Sequence, residues 1–465
     1  MKPLTVQEIR EAAAGSLLSG AEDLLVTGVE MDSRIMKPGD CFFALSGERS
    51  DGNDYIKAAF SGGAVCAVVT DPARAEEAAK AFPGRAVIVV KDAQQALGDL
   101  AAYYLRKFQI PKVAVTGSNG KTTTKDMLHA VLSQKYKTHK TPVNRNNLIG
   151  LPLTVLSLEE DAEAAVFEMG MDTFGEIHRM AEIVRPDIAI ITNVGVAHIE
   201  RLGSREGILS AKLEIRDFFG PENVLIINDE GDLLNRAAAR GNYRLVTVGR
   251  NGKNDFILSD VESSGEDGTA FTLEHGESTQ RYILPVPGEY NAVNASLAAA
   301  AASLLGISPG EVKKGLAAFR PSEKRMDIRG AHGIKVIDDT YNASPPAMRA
   351  AIDVLMSTKG VRKVAILGDM FELGEKSEEY HREVGRYAAE SGVQLFIGVG
   401  ERSRFACESA AEILGAERVA YFAEKSDLES QIENFIGSGD VVLVKGSRGM
   451  AMETIVKKIL EQRKG

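Results

Sequence analysis

Short, uninterrupted apolar runs recur along this chain, and the spacing between them changes at residue 111. Between residues 24 and about 90 the runs Cys41–Ala44, Val65–Val69 and Ala86–Val90 alternate with loops and one helix-like piece, Asp54–Phe60. That is the pattern of a small mixed α/β unit. A helical stretch from Ala93 to Phe108 leads to Pro111, and from residue 112 the runs are followed by longer amphipathic segments. Val113–Thr116, Ala164–Phe167, Ile188–Thr192, Val224–Ile227 and Leu245–Val248 are predicted strands of a mostly parallel sheet, each short, apolar and a crossover length from the next. Alternation between Phe256 and Pro287 predicts an antiparallel ribbon, and a helix Asn291–Leu305 closes this unit. A third α/β run begins near residue 330, with strands Lys335–Ile337, Val364–Leu367, Leu395–Val399 and Val441–Val444. The pattern predicts an α/β protein with domains at 1–110, 111–328 and 329–465, without internal repeats.

Composition agrees with this division. A chain of 465 residues exceeds what one core usually organises. Its 44% apolar and 26% charged residues are ordinary for a globular protein. The formal net charge of −10 argues against a sequence-independent grip on nucleic acid, so an anionic substrate needs a local basic pocket. Cys41, Cys66 and Cys407 lie far apart without CxxC spacing, which points to neither a disulfide framework nor a zinc site. No signal-like stretch opens the sequence and no run of about 18 apolar residues occurs, so a cytoplasmic protein without membrane insertion is expected.

The clearest chemistry follows the strand Val113–Thr116. Gly117, Ser118, Asn119 and Gly120 form a turn, and Lys121 opens a helix whose Met127, Leu128, Val131 and Leu132 make one apolar stripe. In that context the backbone N–H groups of the loop surround phosphate oxygens, Lys121 adds charge and Thr122 a hydroxyl for Mg²⁺, with Thr123 following. The loop is shortened, since the usual G-x-x-x-x-G-K-[ST] has glycine where this chain has Val115. The alternative is a tight strand-to-helix turn with an accidental lysine.

Three further residues are candidates. Glu168 follows the strand Ala164–Phe167, at the carboxyl end where open α/β sheets bind ligands; a solvated strand-end glutamate is the plainer reading. His198 sits in the loop Asn193-Val-Gly-Val-Ala-His198, where a lone histidine is more often structural. Lys212, in Ser210-Ala-Lys212-Leu-Glu214, is read as beginning a helix, and composition alone favours an ordinary surface lysine.

Taken together and in order, Thr116-Gly-Ser-Asn-Gly-Lys-Thr-Thr123, Glu168-Met-Gly170, Asn193-Val-Gly-Val-Ala-His198 and Ala211-Lys212-Leu-Glu-Ile215 resemble the Mur ligase family. Gly288-Glu-Tyr-Asn291-Ala-Val-Asn294, Lys324-Arg325-Met-Asp327 and Asp338-Asp339-Thr-Tyr-Asn342-Ala-Ser-Pro345 extend the resemblance over essentially the whole chain. The last string, with Lys445-Gly-Ser-Arg448-Gly-Met and Asp32-Ser33-Arg34, is most similar to members acting on UDP-N-acetylmuramoyl-tripeptide and D-Ala-D-Ala. Tyr290 stands where the family commonly has histidine, and Asn53 replaces another frequent histidine.

The resemblance implies an ATP-dependent amide ligase working through an acyl phosphate. It implies an N-terminal domain for the UDP substrate, a central P-loop domain, and a C-terminal Rossmann-like domain that closes over ATP and binds the dipeptide. Lys121 and Thr122 would engage phosphates and a first Mg²⁺, Glu168 would bind magnesium, and His198 would support a second ion. Lys212 matches a lysine often carbamylated by CO₂, giving an anionic oxygen ligand. Asn291 and Asn294 would contact adenine, Arg325 and Asp339 the nucleotide, Asn147 the phosphate region, and Ser33 and Arg34 the uridine diphosphate end. Asn342 would contact substrate, and the chain would act as a monomer. Three rivals stay open at this point: a family member using another amine, a small-molecule kinase, and an ATP-binding switch without catalysis.

Overall fold

Apolar runs become strands here because β-branched residues fill buried pleats, and side-chain caps start some of the helices, among them Val6–Ala12, Ala93–Leu105 and Pro309–Ala318. The computed structural model describes residues 1–47 and 50–461, so positions 462–465 of the expected third domain lie outside the described residues. The chain gathers into two compact units, one of residues 1–115, 136–189 and 214–223, the other of 116–135, 190–213 and 224–465.

In the first unit a capping box starts the helix Val6–Ala12. The Thr5 hydroxyl accepts from the Glu8 N–H at 3.2 Å, and the Glu8 carboxylate accepts from the Thr5 N–H at 2.8 Å. Gly28–Glu30, Asp40–Phe43, Cys66–Val69 and Ala86–Val89 pair in parallel in that order, and Ser16–Ser19 joins the last of them antiparallel. Phe42, Ile56, Phe60, Ala67, Val69 and Val87 form the core under this sheet. The expected helix Asp54–Phe60 is a 3-10 turn, Gly52–Tyr55, running into the helix Ile56–Ser61. Ala164–Glu168 pairs in parallel with the Lys112–Val115 stretch and with Thr138–Lys140. The helix Ala93–Leu105 packs on Gly150–Leu156 and Glu176–Val184.

In the second unit Lys121–Leu132 packs on Glu289–Leu304 and Pro309–Ala318. Gly315 allows the close approach, since a Cβ there would stand 2.5 Å from Val131 Cα. Val224–Asn228, Arg244–Gly249 and Phe256–Ser263 run parallel, and the ribbon expected after Phe256 is formed by Thr269–His275 and Ser278–Leu284, both antiparallel. A separate six-stranded sheet is built from Asp327–Ala331, Ile334–Asp338, Asp440–Lys445, Arg362–Gly368, Leu395–Val399 and Val419–Phe422, in that order. All neighbours are parallel except the first pair. Alternate residues of its strands enter different cores: Ile337, Ala365, Leu367 and Leu443 on one side, Val336, Val364, Ile366 and Val442 on the other. A parallel sheet buried on both faces by helices is a doubly wound α/β fold, as expected for the third α/β run. Among the described residues no helix is long and apolar enough to cross a membrane.

Candidate active site

The phosphate loop is shaped by two glycines and fastened by its neighbour in the second unit. Gly117 and Gly120 have φ of 149° and 82°, in the region open to glycine. A Cβ on Gly117 would lie 1.9 Å from the Thr192 hydroxyl, and one on Gly120 would lie 2.5 Å from Asn294 Oδ1. The segment after Thr192 stitches the loop in place. Ser118 N–H donates to Asn193 O at 3.0 Å, Asn119 N–H to Asn193 Oδ1 at 3.0 Å, and Gly195 N–H to Ser118 Oγ at 2.8 Å. Lys121 Nζ curls over the loop to Gly117 O at 2.7 Å, while Thr122 is buried and Thr123 partly so.

Beside this loop lies a lysine that is only 2% exposed. Lys212 is the penultimate residue of the helix Arg205–Leu213 and does not begin it, because the helix starts upstream, where Ser204 Oγ accepts from the Gly207 N–H at 3.1 Å. The surface-lysine reading therefore fails. Burial, reinforced by the Lys121 ammonium, pushes the Lys212 pKa well below the ordinary lysine value. His198 is held at φ 63° with Nδ1 2.8 Å from Glu372 Oε2. Asn291 and Asn294 are buried along the helix Glu289–Leu304, with Asn291 Nδ2 donating to Pro287 O at 2.7 Å. Tyr290 packs on the core of the six-stranded fold, and burial, with Asp339 nearby, raises its phenol well above the usual range.

The residues expected from the third α/β run also meet in this unit. Arg325 stacks over the Tyr341 ring at 3.8 Å, between Lys324 and Met326, whose φ values are 63° and 52°. Asp339 Oδ1 accepts from the Met326 N–H at 3.2 Å, and its other oxygen is bound by Lys445, which also donates to Asn342 O at 2.8 Å. Asn342 is exposed. Ser344 Oγ donates to Asn119 Oδ1 at 3.1 Å, joining this run to the phosphate loop.

Four expected site residues fall in the first unit. Glu168 ends its strand opposite Val115 and is buried; its N–H donates to Thr141 Oγ1 at 2.9 Å, and its Oε1 accepts from Asn146 Nδ2 at 2.8 Å. A solvated strand-end glutamate is thereby excluded. Asn147 lies just before the helix Gly150–Leu156, its Oδ1 accepting from the Gly150 N–H at 2.8 Å. Arg34 is exposed and pairs with Asp32 through Nε at 2.8 Å and Nη2 at 2.6 Å, beside the half-buried Ser33. Asn53 spends its amide internally, donating to Asp51 and Thr70 and accepting from the Thr70 and Asp71 N–H groups.

Three family models account for most of the chain: the Mur ligase family catalytic domain over residues 25–105, the Mur ligase middle domain over 115–302, and the Mur ligase glutamate ligase domain over 324–448. The UDP-N-acetylmuramoyl-tripeptide–D-alanyl-D-alanine ligase of Bacillus subtilis is 41% identical over 460 residues, 98% of each chain. The chain belongs to the Mur ligase family. Among solved Mur ligases, a crystal structure of MurF from Acinetobacter baumannii is 32% identical with a TM-score of 0.90, covering 99% of this chain and all of that one. MurF from Thermotoga maritima in complex with ADP is 28% identical with a TM-score of 0.82, covering 95% and 99%.

In this Mur ligase, Asn146, Ser344, Lys445 and Glu372 carry site contacts that sequence reasoning passed over. Asn146 adjoins Asn147, and Ser344 and Lys445 lie inside motifs already singled out, so attention to neighbouring residues could have found them. Nothing local marks Glu372. Among the described residues no three His, Cys, Asp or Glu side chains form a ready cation site.

Proposed function

We propose that this chain joins D-Ala-D-Ala to UDP-N-acetylmuramoyl-tripeptide at the expense of ATP. The observation that carries the chemistry is Lys212, a buried amine whose charge is disfavoured beside Lys121 of a glycine phosphate loop. The substrates rest on the near full-length likeness to a relative of that name. In this reading residues 1–110 bind the UDP substrate, 111–328 bind ATP, and 329–465 close over the nucleotide and hold the dipeptide. The chain works as a cytoplasmic monomer.

A carboxylate is a poor electrophile, and an amine does not displace its oxygen at neutral pH. The tripeptide carboxylate therefore attacks the γ-phosphorus, ADP leaves, and an acyl phosphate remains. Gly117, Gly120 and Thr123 line the phosphates with backbone N–H groups, Ser118 and Asn119, whose own N–H groups are held by Asn193, shape the loop, and Lys121 stabilises the spread negative charge. The dipeptide amine then adds to the acyl carbonyl, and phosphate departs as the amine loses its proton. Asn291 and Asn294 hold adenine, Arg325 and Asp339 the nucleotide, Ser33 and Arg34 the uridine diphosphate, and Asn147 and Asn342 complete the substrate contacts.

The donors present suit magnesium, a hard cation that takes one or two carboxylates plus hydroxyl, water and phosphate oxygens. Thr122 and the buried Glu168 carboxylate would each offer such an oxygen, His198 would support a second ion, and magnesium would supply neutralisation of phosphate charge. A lysine can become an oxygen donor only if its amine is neutral. The lowered pKa of Lys212 supplies that condition: its nitrogen attacks CO₂, loses a proton and becomes an anionic carbamate.

The test is phosphate release from ATP with Mg²⁺, UDP-N-acetylmuramoyl-tripeptide and D-Ala-D-Ala, omitting each in turn. Release that needs all of them, with pentapeptide formed, is the expected result. Release without the dipeptide, or only with another amine, would overturn the substrate assignment.

A further inference from the structure

Two residues in the left-handed region of backbone space meet at one point. His198, at φ 63°, places Nδ1 2.8 Å from Oε2 of Glu372, at φ 61°, a close charge contact that stops short of an aligned hydrogen bond. Residues other than glycine keep such a conformation only where their surroundings fix it. Around Glu372 those surroundings are firm. Met370 and Leu373 on either side are buried, Met370 N–H donates to His381 Nε2 at 3.0 Å, and Phe371 N–H donates to Ser447 Oγ at 2.8 Å. The loop after the strand Arg362–Gly368 thus presents the Glu372 carboxylate from a rigid base. His198 comes from a different element, the Asn193–His198 segment that is tied to the phosphate loop through Gly195 and Ser118. Val196 of that segment is buried in the core of the six-stranded fold.

We infer that Glu372 is a positioning residue for His198. Its carboxylate selects the ring tautomer with the proton on Nδ1 and the lone pair on Nε2, and holds the imidazole at one angle. A carboxylate behind an imidazole does this wherever the outer nitrogen must act as an acceptor or metal ligand. Because the two residues belong to separate elements, the geometry also makes the ring's orientation depend on the docked position of the six-stranded fold. Formation of the His198–Glu372 contact is then one of the events that make the phosphate loop competent.

The inference rests on the ligase reading for its kinetic arm, whereas the spectroscopic arm needs no substrate and succeeds or fails independently. In the full chain with ¹⁵N-labelled histidine, the His198 resonances, assigned by their loss in His198→Gln, should report a protonated Nδ1. In Glu372→Ala they should move to the Nε2–H tautomer that free imidazole favours. Turnover should fall tenfold or more in Glu372→Ala with ADP affinity within twofold, and Glu372→Gln, which keeps an acceptor, should recover most of it. Glu372→Gly guards against misfolding, since it removes the carboxylate while relieving the backbone; it should lose turnover with no fall in Tm. The double variant Glu372→Ala/His198→Gln should lose no more than His198→Gln alone. An unchanged His198 spectrum in Glu372→Ala, additive losses, or full turnover in Glu372→Gly would each overturn the assignment.

Discussion

The phosphate loop and the Asp32–Arg34 segment are both assigned to phosphate-bearing substrates, yet different forces build them. The loop is held by amides and hydroxyls, through Asn193, Ser118 and Thr192, around glycines that admit no side chain. None of those groups titrates between about pH 3 and 9. The Asp32–Arg34 segment is held by charge in the open: Arg34 is 85% exposed, and its guanidinium draws the Asp32 carboxyl down to about 2. Elsewhere in the same unit Glu8 is pushed up by burial but pulled further down, to about 2, by Lys107, the Thr5 N–H and Tyr103. A buried polar network fixes geometry before the ligand arrives. An exposed ion pair instead keeps a cation that can exchange one anion for another.

The largest effect should come from the built site. Lys121→Ala is expected to lower kcat about 10³-fold, roughly 4 kcal/mol of transition-state stabilisation, while the melting temperature stays close to that of the parent. A variant with near-normal turnover would break the comparison at its stronger end. Arg34→Ala should raise the KM for the UDP substrate about tenfold, near 1.4 kcal/mol, leaving kcat within about twofold, and the loss should shrink at high salt. A kcat effect equal to the KM effect would place Arg34 in the chemistry.

The smallest effect concerns pH. Glu8 has a folded value near 2 against an ordinary 4.5, so its contribution is fully present above about 4.5 and is lost as pH falls towards 2. Glu8→Gln should therefore lower stability by about 1 kcal/mol at neutral pH, after allowance for solvent screening, and by less near pH 3. An equal deficit at both, measured by denaturant unfolding, would show that packing and not charge joins Glu8 to Lys107.

Much of the fold was legible because parallel strands buried on both faces read as unbroken apolar runs, such as Val364–Leu367 and Val441–Val444. Edge strands carry no such signal: Asp327–Ala331 and Val419–Phe422 are half-exposed and mixed in character, and neither was anticipated. The helix Val6–Ala12 was missed although Thr5 and Glu8 spell its capping box. In the site, the glycine loop announced itself through the strand and helix around it. Lys212 could not, since a lysine is normally a surface residue and its burial is decided by packing distant in sequence. Glu372 was hidden because its partner lies 174 residues away, and the role of Lys445, although inside a motif already singled out, depends on Asp339, 106 residues off.

The junction at Lys324 and Met326 has a consequence for descent. Two reversals of backbone handedness within three residues, each about 1 kcal/mol above the relaxed state, leave that stretch unable to be absorbed into a neighbouring helix or strand. A residue gained or lost there cannot be taken up by sliding register, as it could in a loop. Recombination between relatives would therefore yield working chimaeras only when the crossover falls outside residues 324–326, so that the joint is inherited whole with one of its flanks.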